Sequence, residues 1–165
     1  MKTKAERDAD TNNSGEIQQE PRTLSMVCLV LLLLLSSFFA LYHSATAYGT
    51  DEVWSVKTAS LNYSAEIAAV KADVHPPLYF LILHSWMRLF GKEERTVRSL
   101  SGLFYLLSVL AVFGIGRELY GRKTALLCAV IYLSSPLAIL AAQFARMYSL
   151  LSLFSILSTW LYLQF

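Results

Sequence analysis

Residues 73–80 read DVHPPLYF and stand at the mouth of an apolar run. Pro76 and Pro77 fix φ and remove two backbone donors, which a helix tolerates only in its first turn. The pair therefore predicts the start of a helix that runs into a membrane, with Asp73 and His75 at its wet end. Polar groups at that end can act on a substrate without being buried.

The composition indicates a membrane protein. Hydrophobic residues make up 55% of the 165 residues, charged residues only 16%, and mean hydropathy is +0.46. Charges are absent from four stretches: 23–50, 99–116, 124–145 and 147–165. Each stretch has about the length that crosses a hydrocarbon core of roughly 30 Å. A large soluble all-α core is the alternative, but a soluble helix shows a polar face and these runs do not. We therefore expect an all-α, polytopic membrane helix bundle.

The N-terminal part divides into a polar leader and a first span. Residues 1–22 are polar and mixed in charge, which predicts a disordered tail. The apolar run 24–47 predicts an uncleaved transmembrane helix; a signal peptide cleaved near Ala45-Thr46-Ala47 is the competing interpretation. The basic leader places the N-terminus in the cytoplasm by the positive-inside rule.

The connection 48–74 is polar and predicts an extracytoplasmic amphipathic helix between the first two spans. Thr50 is a candidate N-cap. Trp54, Leu61, Ala65 and Ala68 could share one helix face at spacings of three, four and seven. Such a helix would lie on the outer membrane surface.

The later apolar runs are 76–90, 100–116, 124–142 and 147–165, and their sidedness is in conflict. Alternation places the basic turn 92–98 inside and the turn 117–123 outside, whereas the positive-inside rule wants both inside. If the run 100–116 dips without crossing, Arg146 comes to the same outer side as Asp51 and His75.

Two groups of residues that contain acids are candidates for a catalytic or binding role. Asp51 and Glu52 follow the first span, where a carboxylate can position a hydroxyl nucleophile and accept its proton. A helix N-terminus favours the ionised form, although acids there are also ordinary capping residues. Asp73 and His75 form the second constellation; a His beside the membrane can bind phosphate or exchange protons, or be a plain interfacial residue.

Arg146 is the third candidate and the sole charge after Lys123. An ionised guanidinium at membrane depth costs at least ~2.5 kcal/mol on insertion scales, so it should face protein, water or phosphate. Its planar fork suits a phosphate, and Gln143 and Tyr148 flank it with hydrogen-bonding capacity. Snorkelling at a helix end is the alternative.

No motif predicts a cofactor or a nucleic-acid partner. Cys28 and Cys128 lie inside apolar runs and are interpreted as small hydrophobes, not as a disulfide or a metal pair. Patterns for zinc, P-loop phosphate, dinucleotide and a Ser-His-Asp triad are missing, and a divalent cation is left open.

Taken together and in this order, the constellations resemble the membrane glycosyltransferases of the C superfamily. The nearest branch is that of bacterial enzymes similar to protein O-mannosyltransferases, lipid A aminoarabinose transferases and rhizobial core sugar transferases. The matching pieces are Asp51-Glu52, 73–80, Phe90-Gly91 with Arg98, 116–123 (GRELYGRK), Ser135-Pro136 and 143–148 (QFARMY).

The resemblance implies transfer of a sugar from a polyprenyl-phosphate donor to a lipid, glycan or protein hydroxyl on the outer face of the cell membrane, with inversion. Asp51 would be the general base, with Glu52 and Asp73 orienting the acceptor or Asp51. His75 and Arg146 would contact the donor phosphate. Membrane lipids are the further expected partner.

Two departures qualify the resemblance. Many relatives carry an acid where this chain has Phe144, and family members are several times longer. We therefore expect residues 23–165 to be the N-terminal transmembrane glycosyltransferase-like module of a longer enzyme. A non-catalytic multi-pass membrane protein, such as a scaffold, a transporter fragment or a degenerate paralogue, is the alternative.

Overall fold

The structure is a computed structural model that describes residues 22–42, 47–73 and 75–164, except for the side chains of 22–25 and 41. Within these residues it contains eight α-helices and no strand, which confirms the all-α prediction. The helices are α1 Arg22–Leu41, α2 Thr50–Thr58, α3 Tyr63–Ala72, α4 Pro77–Phe90, α5 Glu94–Tyr120, α6 Arg122–Leu133, α7 Pro136–Gln143 and α8 Tyr148–Gln164. The predicted tail up to residue 21, His43, most of the cleavage-like Ala45-Thr46-Ala47 and Val74 lie outside the described residues.

Membrane-spanning capacity is concentrated in α5 and in the pair α6–α7. The 27 residues of α5 extend over roughly 40 Å and form the one described helix that is by itself long and apolar enough to cross. A second candidate exists if α6 and α7 are counted as one span, bent by 60° before Pro136. The apolar part of α1, Met26–Ala40, is shorter. The described residues thus contain one or two clear candidates for membrane spans, fewer than the five spans that the sequence predicts.

The central element is α5, which packs against α1, α6, α7 and α8. A tight turn at Gly121, with φ of 81°, joins α5 to α6; this left-handed backbone favours glycine. At Gly116 the two helices approach so closely that an added Cβ would lie 2.8 Å from Ala125 Cα. α5 is one unbroken helix from 94 to 120, so the alternative in which the run 100–116 dips without crossing finds no break in the helix to support it.

The predicted helix start at the tandem proline is present, but the helix is shorter than a membrane span. α4 begins at Pro77, with Pro76 as its N-cap. Its 14 residues extend over only about 21 Å, short of a hydrocarbon core of roughly 30 Å. Trp54 of α2 contacts His75 before α4, with ring centroids 5.6 Å apart. Just before α2, the Tyr48 hydroxyl donates to the Lys92 carbonyl after α4, at 3.2 Å. Both ends of α4 therefore lie beside the same short segment, and the span predicted at 76–90 is not among the described helices long and apolar enough to cross.

The connection 48–74 forms two helices where the sequence predicts one. α2 ends at Thr58, and Asn62 caps α3 by accepting from Ala65 N at 3.0 Å. Gly49 and not Thr50 is the N-cap of α2. Because of this break Trp54 is half-buried whereas Leu61 is exposed, so the predicted common face does not form. α2, α3 and α4 together make a compact unit next to the start of α5.

Candidate active site

The start of α2 and the loop between α7 and α8 enclose one cavity. Its volume is about 390 Å³. The lining residues are Gly49, Thr50, Asp51, Glu52, Phe144, Arg146 and Tyr148. The structure therefore brings together four of the predicted site residues, although residues 51 and 146 are far apart in the sequence.

Asp51 and Arg146 face each other in this cavity with very different exposure. The Asp51 side chain is 72% exposed, whereas that of Arg146 is only 11% exposed. Arg146 Nη2 lies 3.8 Å from Asp51 Oδ2, and Arg146 Nη1 donates to the Asp51 carbonyl at 3.5 Å. Arg146 Nε is buried and has no hydrogen-bond acceptor among the described residues. The guanidinium thus keeps unused donor capacity, and its carbon lies 5.9 Å from the centroid of the Tyr148 ring.

Local backbone geometry presents Arg146 to the cavity. After α7 ends at Gln143, residues 144–147 interrupt the helix before α8 begins. Within this interruption the Arg146 amide donates to the Phe144 carbonyl at 2.8 Å. Arg146 therefore lies in a short loop at a helix boundary, which agrees with the expectation that it faces protein or water.

Glu52 is a buried clamp at the floor of the cavity, with a side chain 1% exposed. Its Oε1 accepts from Arg98 Nε at 2.8 Å and from the Ala145 amide at 2.9 Å. Its Oε2 accepts from Arg98 Nη2 at 2.6 Å and from the Gly49 amide at 3.0 Å. One carboxylate thus fixes the start of α2, the start of α5 and the Arg146 loop relative to each other.

These contacts set the protonation of Glu52. Burial alone would raise the pKa of its carboxyl, but the hydrogen bonds from Arg98, Ala145 and Gly49 outweigh burial and hold the pKa below its ordinary value. Glu52 is therefore an anion at neutral pH with all its acceptor positions occupied.

Arg98 is the site residue whose role the sequence left unassigned. It lies in the first turns of α5, 3% exposed, and donates also to the Ala47 carbonyl at 3.3 Å. The Tyr48 ring lies 5.5 Å from its guanidinium carbon. Burial, with the negative charge of Glu94 next, raises the pKa of Tyr48 to about 12. The sequence could have indicated this role, because Arg98 is a cation at the edge of the uncharged stretch 99–116 and a charge that is buried there requires a partner.

Asp73 and His75 form a pair of their own outside this cavity. His75 Nδ1 lies 2.9 Å from Asp73 Oδ2, but no aligned hydrogen bond joins them. The imidazole packs between Trp54 and Phe80, with ring centroids 5.6 and 6.3 Å away. Neither residue lines the cavity of Asp51 and Arg146.

Gln143 also points elsewhere. Its Nε2 donates to the Phe39 carbonyl at 2.9 Å, which ties the end of α7 to α1. Within the part of the chain that the structure describes, no group of three or more His, Cys, Asp or Glu side chains could hold a metal ion.

An apolar groove adjoins the cavity. It has a volume of about 520 Å³ and lies along α7 and the facing sides of α6 and α8. Its lining residues are Tyr132, Ser135, Leu137, Ala138, Leu140, Ala141, Phe144, Tyr148 and Ser152. Phe144 and Tyr148 line both spaces, so a polar and an apolar compartment meet at these two side chains.

In comparisons with curated proteins and with solved structures, nothing matches the chain. One family model does match, over residues 74–165, which is more than half of the chain. The matched region contains α4 to α8 and Arg146, and it supports a membrane glycosyltransferase of the C-superfamily type. The chain belongs to the family described as dolichyl-phosphate-mannose-protein mannosyltransferase.

Proposed function

We propose that this protein transfers a sugar from a polyprenyl-phosphate donor to a hydroxyl acceptor at the extracytoplasmic boundary of the cell membrane. Family membership points to glycosyltransferase activity with this class of donor. The observation that carries the proposal is the shared cavity, in which an exposed carboxylate and a buried guanidinium with a spare donor adjoin an apolar groove.

Asp51 is the proposed general base. It lies in the first turn of α2 and its carboxylate is exposed, so an acceptor hydroxyl can reach it. A helix N-terminus stabilises the ionised carboxylate, which is the form that takes a proton. The activated oxygen attacks the anomeric carbon, the glycosidic C–O bond breaks, and the donor phosphate leaves with the bonding electrons. Direct attack from the opposite side inverts the anomeric centre.

Arg146 is the proposed phosphate ligand. Negative charge grows on the donor phosphate as the glycosidic bond breaks, and a fixed cation stabilises that charge. The Nη atoms of Arg146, which lie beside Asp51 at the cavity, provide the donors. Tyr148 borders the same space and can hold the sugar or the phosphate, while the isoprenoid chain occupies the apolar groove.

The other predicted site residues take different positions in this proposal. Glu52 is a positioning residue, because its carboxylate is fully engaged by Arg98 and two amides. Asp73 and His75 are a proposed donor-binding pair outside the cavity, and Gln143 supports the loop through α1. The branch of the superfamily, the sugar and the acceptor class remain predictions.

The fold supports a definite sidedness as part of the proposal. If α4 stays on the outer side with α2 and α3, then α5 leads inward and its end, with Arg117, Arg122 and Lys123, is cytoplasmic. This placement puts the basic turn 117–123 inside, as the positive-inside rule requires, and leaves the basic turn 92–98 outside; the alternation of five spans gave the opposite arrangement. It also leaves Arg146 on the side of Asp51 and the N-terminus in the cytoplasm, in a multi-pass protein.

The test is sugar transfer by membranes that contain the protein. Membranes with the unchanged chain and with Asp51→Asn receive a polyprenyl-phosphate hexose carrying a radiolabel, and label is followed into lipid, glycan and protein fractions. We expect Asp51→Asn to insert normally and lose transfer, while Glu93→Gln, which removes an exposed carboxylate outside the cavity, keeps it. Full transfer by Asp51→Asn refutes the base assignment, and no transfer by the unchanged chain favours the non-catalytic alternative.

A further inference from the structure

A second cavity lies where the break between α2 and α3 meets the end of α4, and the formal charges of its lining residues are only positive. Its volume is about 360 Å³. It is lined by Ala59, Ser60, Leu61, Asn62, His84, Met87, Arg88 and Lys92, from the break between α2 and α3 and the end of α4. None of these residues lines the cavity of Asp51 and Arg146, so the two spaces are distinct.

Two cations at this cavity have no counter-charge. Arg88 is in the last turn of α4 and Lys92 follows α4 after Gly91. Both are exposed, and no hydrogen bond or ion pair engages either side chain among the described residues. Three acids are near: Glu66 lies buried behind His84, 3.0 Å from its Nδ1, and Glu93 and Glu94 follow Lys92 in sequence, but none of the three lines the cavity. The space therefore attracts an anion.

Exposed apolar side chains are close in sequence to the two cations, and one of them lines the cavity. Leu89 is 76% exposed and Phe90 is 60% exposed, next to Arg88 in sequence, and Leu61 on the cavity wall is 41% exposed. An exposed leucine and phenylalanine beside unpaired cations form the pattern of an interfacial segment, with the apolar residues in the acyl region and the cations at the headgroups.

The position of the cavity along the chain fits this partner. Three residues, 91–93, separate α4 from α5, the helix able to cross a membrane by itself. The cavity thus lies at the level where a spanning helix enters the bilayer. Trp86, whose ring centroid is 4.4 Å from that of Phe90, adds an aromatic residue typical of this depth.

We infer that this cavity, between the α2–α3 break and the end of α4, binds the phosphate headgroup of an anionic membrane phospholipid through Arg88 and Lys92. Leu61, Leu89 and Phe90 contact the acyl chains of the same leaflet. The bound lipid then fills this cavity and holds α4 parallel to the membrane surface. This inference does not depend on the catalytic proposal, because it concerns other residues and a lipid that is not consumed.

The test is native mass spectrometry of the detergent-purified full chain, titrated with equal amounts of phosphatidylglycerol and phosphatidylcholine. Each cation near an anionic headgroup is worth about fivefold, so we expect the first lipid retained to be phosphatidylglycerol by roughly 10- to 30-fold. Arg88→Gln/Lys92→Gln should remove that preference. The matched control Lys57→Gln/Lys71→Gln removes two exposed cations of α2 and α3 outside the cavity and should keep it.

Three results would overturn the inference. They are equal retention of both lipids by the unchanged chain, an undiminished preference in Arg88→Gln/Lys92→Gln, and an equal loss in the control pair. Inorganic phosphate is the second arm of the experiment. A phosphate adduct that forms without lipid and disappears in Arg88→Gln/Lys92→Gln, with no preference between the lipids, would assign the cavity to free phosphate. Circular dichroism of each variant checks that its helices are intact.

Discussion

Replacing Glu52 with Gln should destabilise the protein strongly, although the two side chains have the same shape. The carboxylate accepts four hydrogen bonds, two from Arg98 and one each from the amides of Gly49 and Ala145. A glutamine keeps one oxygen for two of these donors and turns its own NH₂ group towards the other two. The buried guanidinium of Arg98 also loses its counter-charge. Removing one partner of a buried ion pair costs roughly 3–5 kcal/mol, a large part of a typical unfolding free energy of about 5–15 kcal/mol.

Thermal unfolding of the purified protein measures this loss. For a chain of this size 1 kcal/mol corresponds to about 2–4 °C, so the midpoint should fall by an amount on the order of 10 °C. Glu93→Gln, at an exposed position, is the control and should stay within about 0.5 kcal/mol of the unchanged chain. Adding Arg98→Met to Glu52→Gln removes the orphaned cation and should recover part of the loss.

The pH dependence gives an independent check of the same contact. Because the pKa of Glu52 is held below its ordinary value, the carboxylate contributes stability above about pH 4.3, the value in an unfolded chain. That contribution is lost as the pH falls through the lowered pKa, so the acid limb of the stability profile should flatten in Glu52→Gln. A loss below about 1 kcal/mol, or an unchanged acid limb, would refute the clamp.

The remaining predictions concern a second buried acid, the donor site and a helix contact. Burial raises the pKa of Glu66, although His84 Nδ1, 3.0 Å from its carboxylate, offsets part of the effect. The free energy of unfolding should therefore fall as the pH rises from about 4.3 through the raised pKa of Glu66. Glu66→Gln should remove this fall, which unfolding midpoints measured from pH 4 to 8 will show. The prediction is contradicted if the midpoints of the variant and of the unchanged chain change with pH in the same way. Arg146→Lys keeps the charge but loses the fork, so apparent donor affinity in the transfer assay should drop roughly 10- to 100-fold, whereas exposed Arg95→Lys should have no effect. Gly116→Ala forces a Cβ to 2.8 Å from a backbone atom of α6 and should cost about 1–3 kcal/mol of stability, measured by thermal unfolding; an unchanged midpoint would mean that the helices can separate freely.

Local chemistry made part of this fold predictable. Two consecutive prolines have few backbone options, and α4 begins where they indicate. Ser135-Pro136 marks a helix boundary, and Pro136 does begin α7 after a 60° bend. The uncharged stretch 99–116 lies within α5, the one helix among the described residues that is able to cross by itself. Each of these features depends on residues that are neighbours in the sequence.

The features that the sequence did not reveal depend on contacts between distant residues. An apolar segment such as 77–90 looks the same whether lipid or protein covers it, and only the contacts with Trp54 and Tyr48 place it beside α2. Likewise, the adjacent acids Asp51 and Glu52 at a helix start look alike in the sequence, as two carboxylates with the same surroundings. The fold separates them, because Glu52 meets a cation 46 positions away while Asp51 stays exposed.

The clamp at Glu52 has a consequence for biosynthesis. Its acceptors are filled by an arginine 46 positions later and by an amide 93 positions later. A nascent chain therefore carries this acid without its counter-ion until α5 has emerged, and without its last donor until the segment before α8 has followed. The four contacts of Glu52 are therefore complete only after residues 49–145 have all been synthesised, and until then water must satisfy the acceptors that are still open.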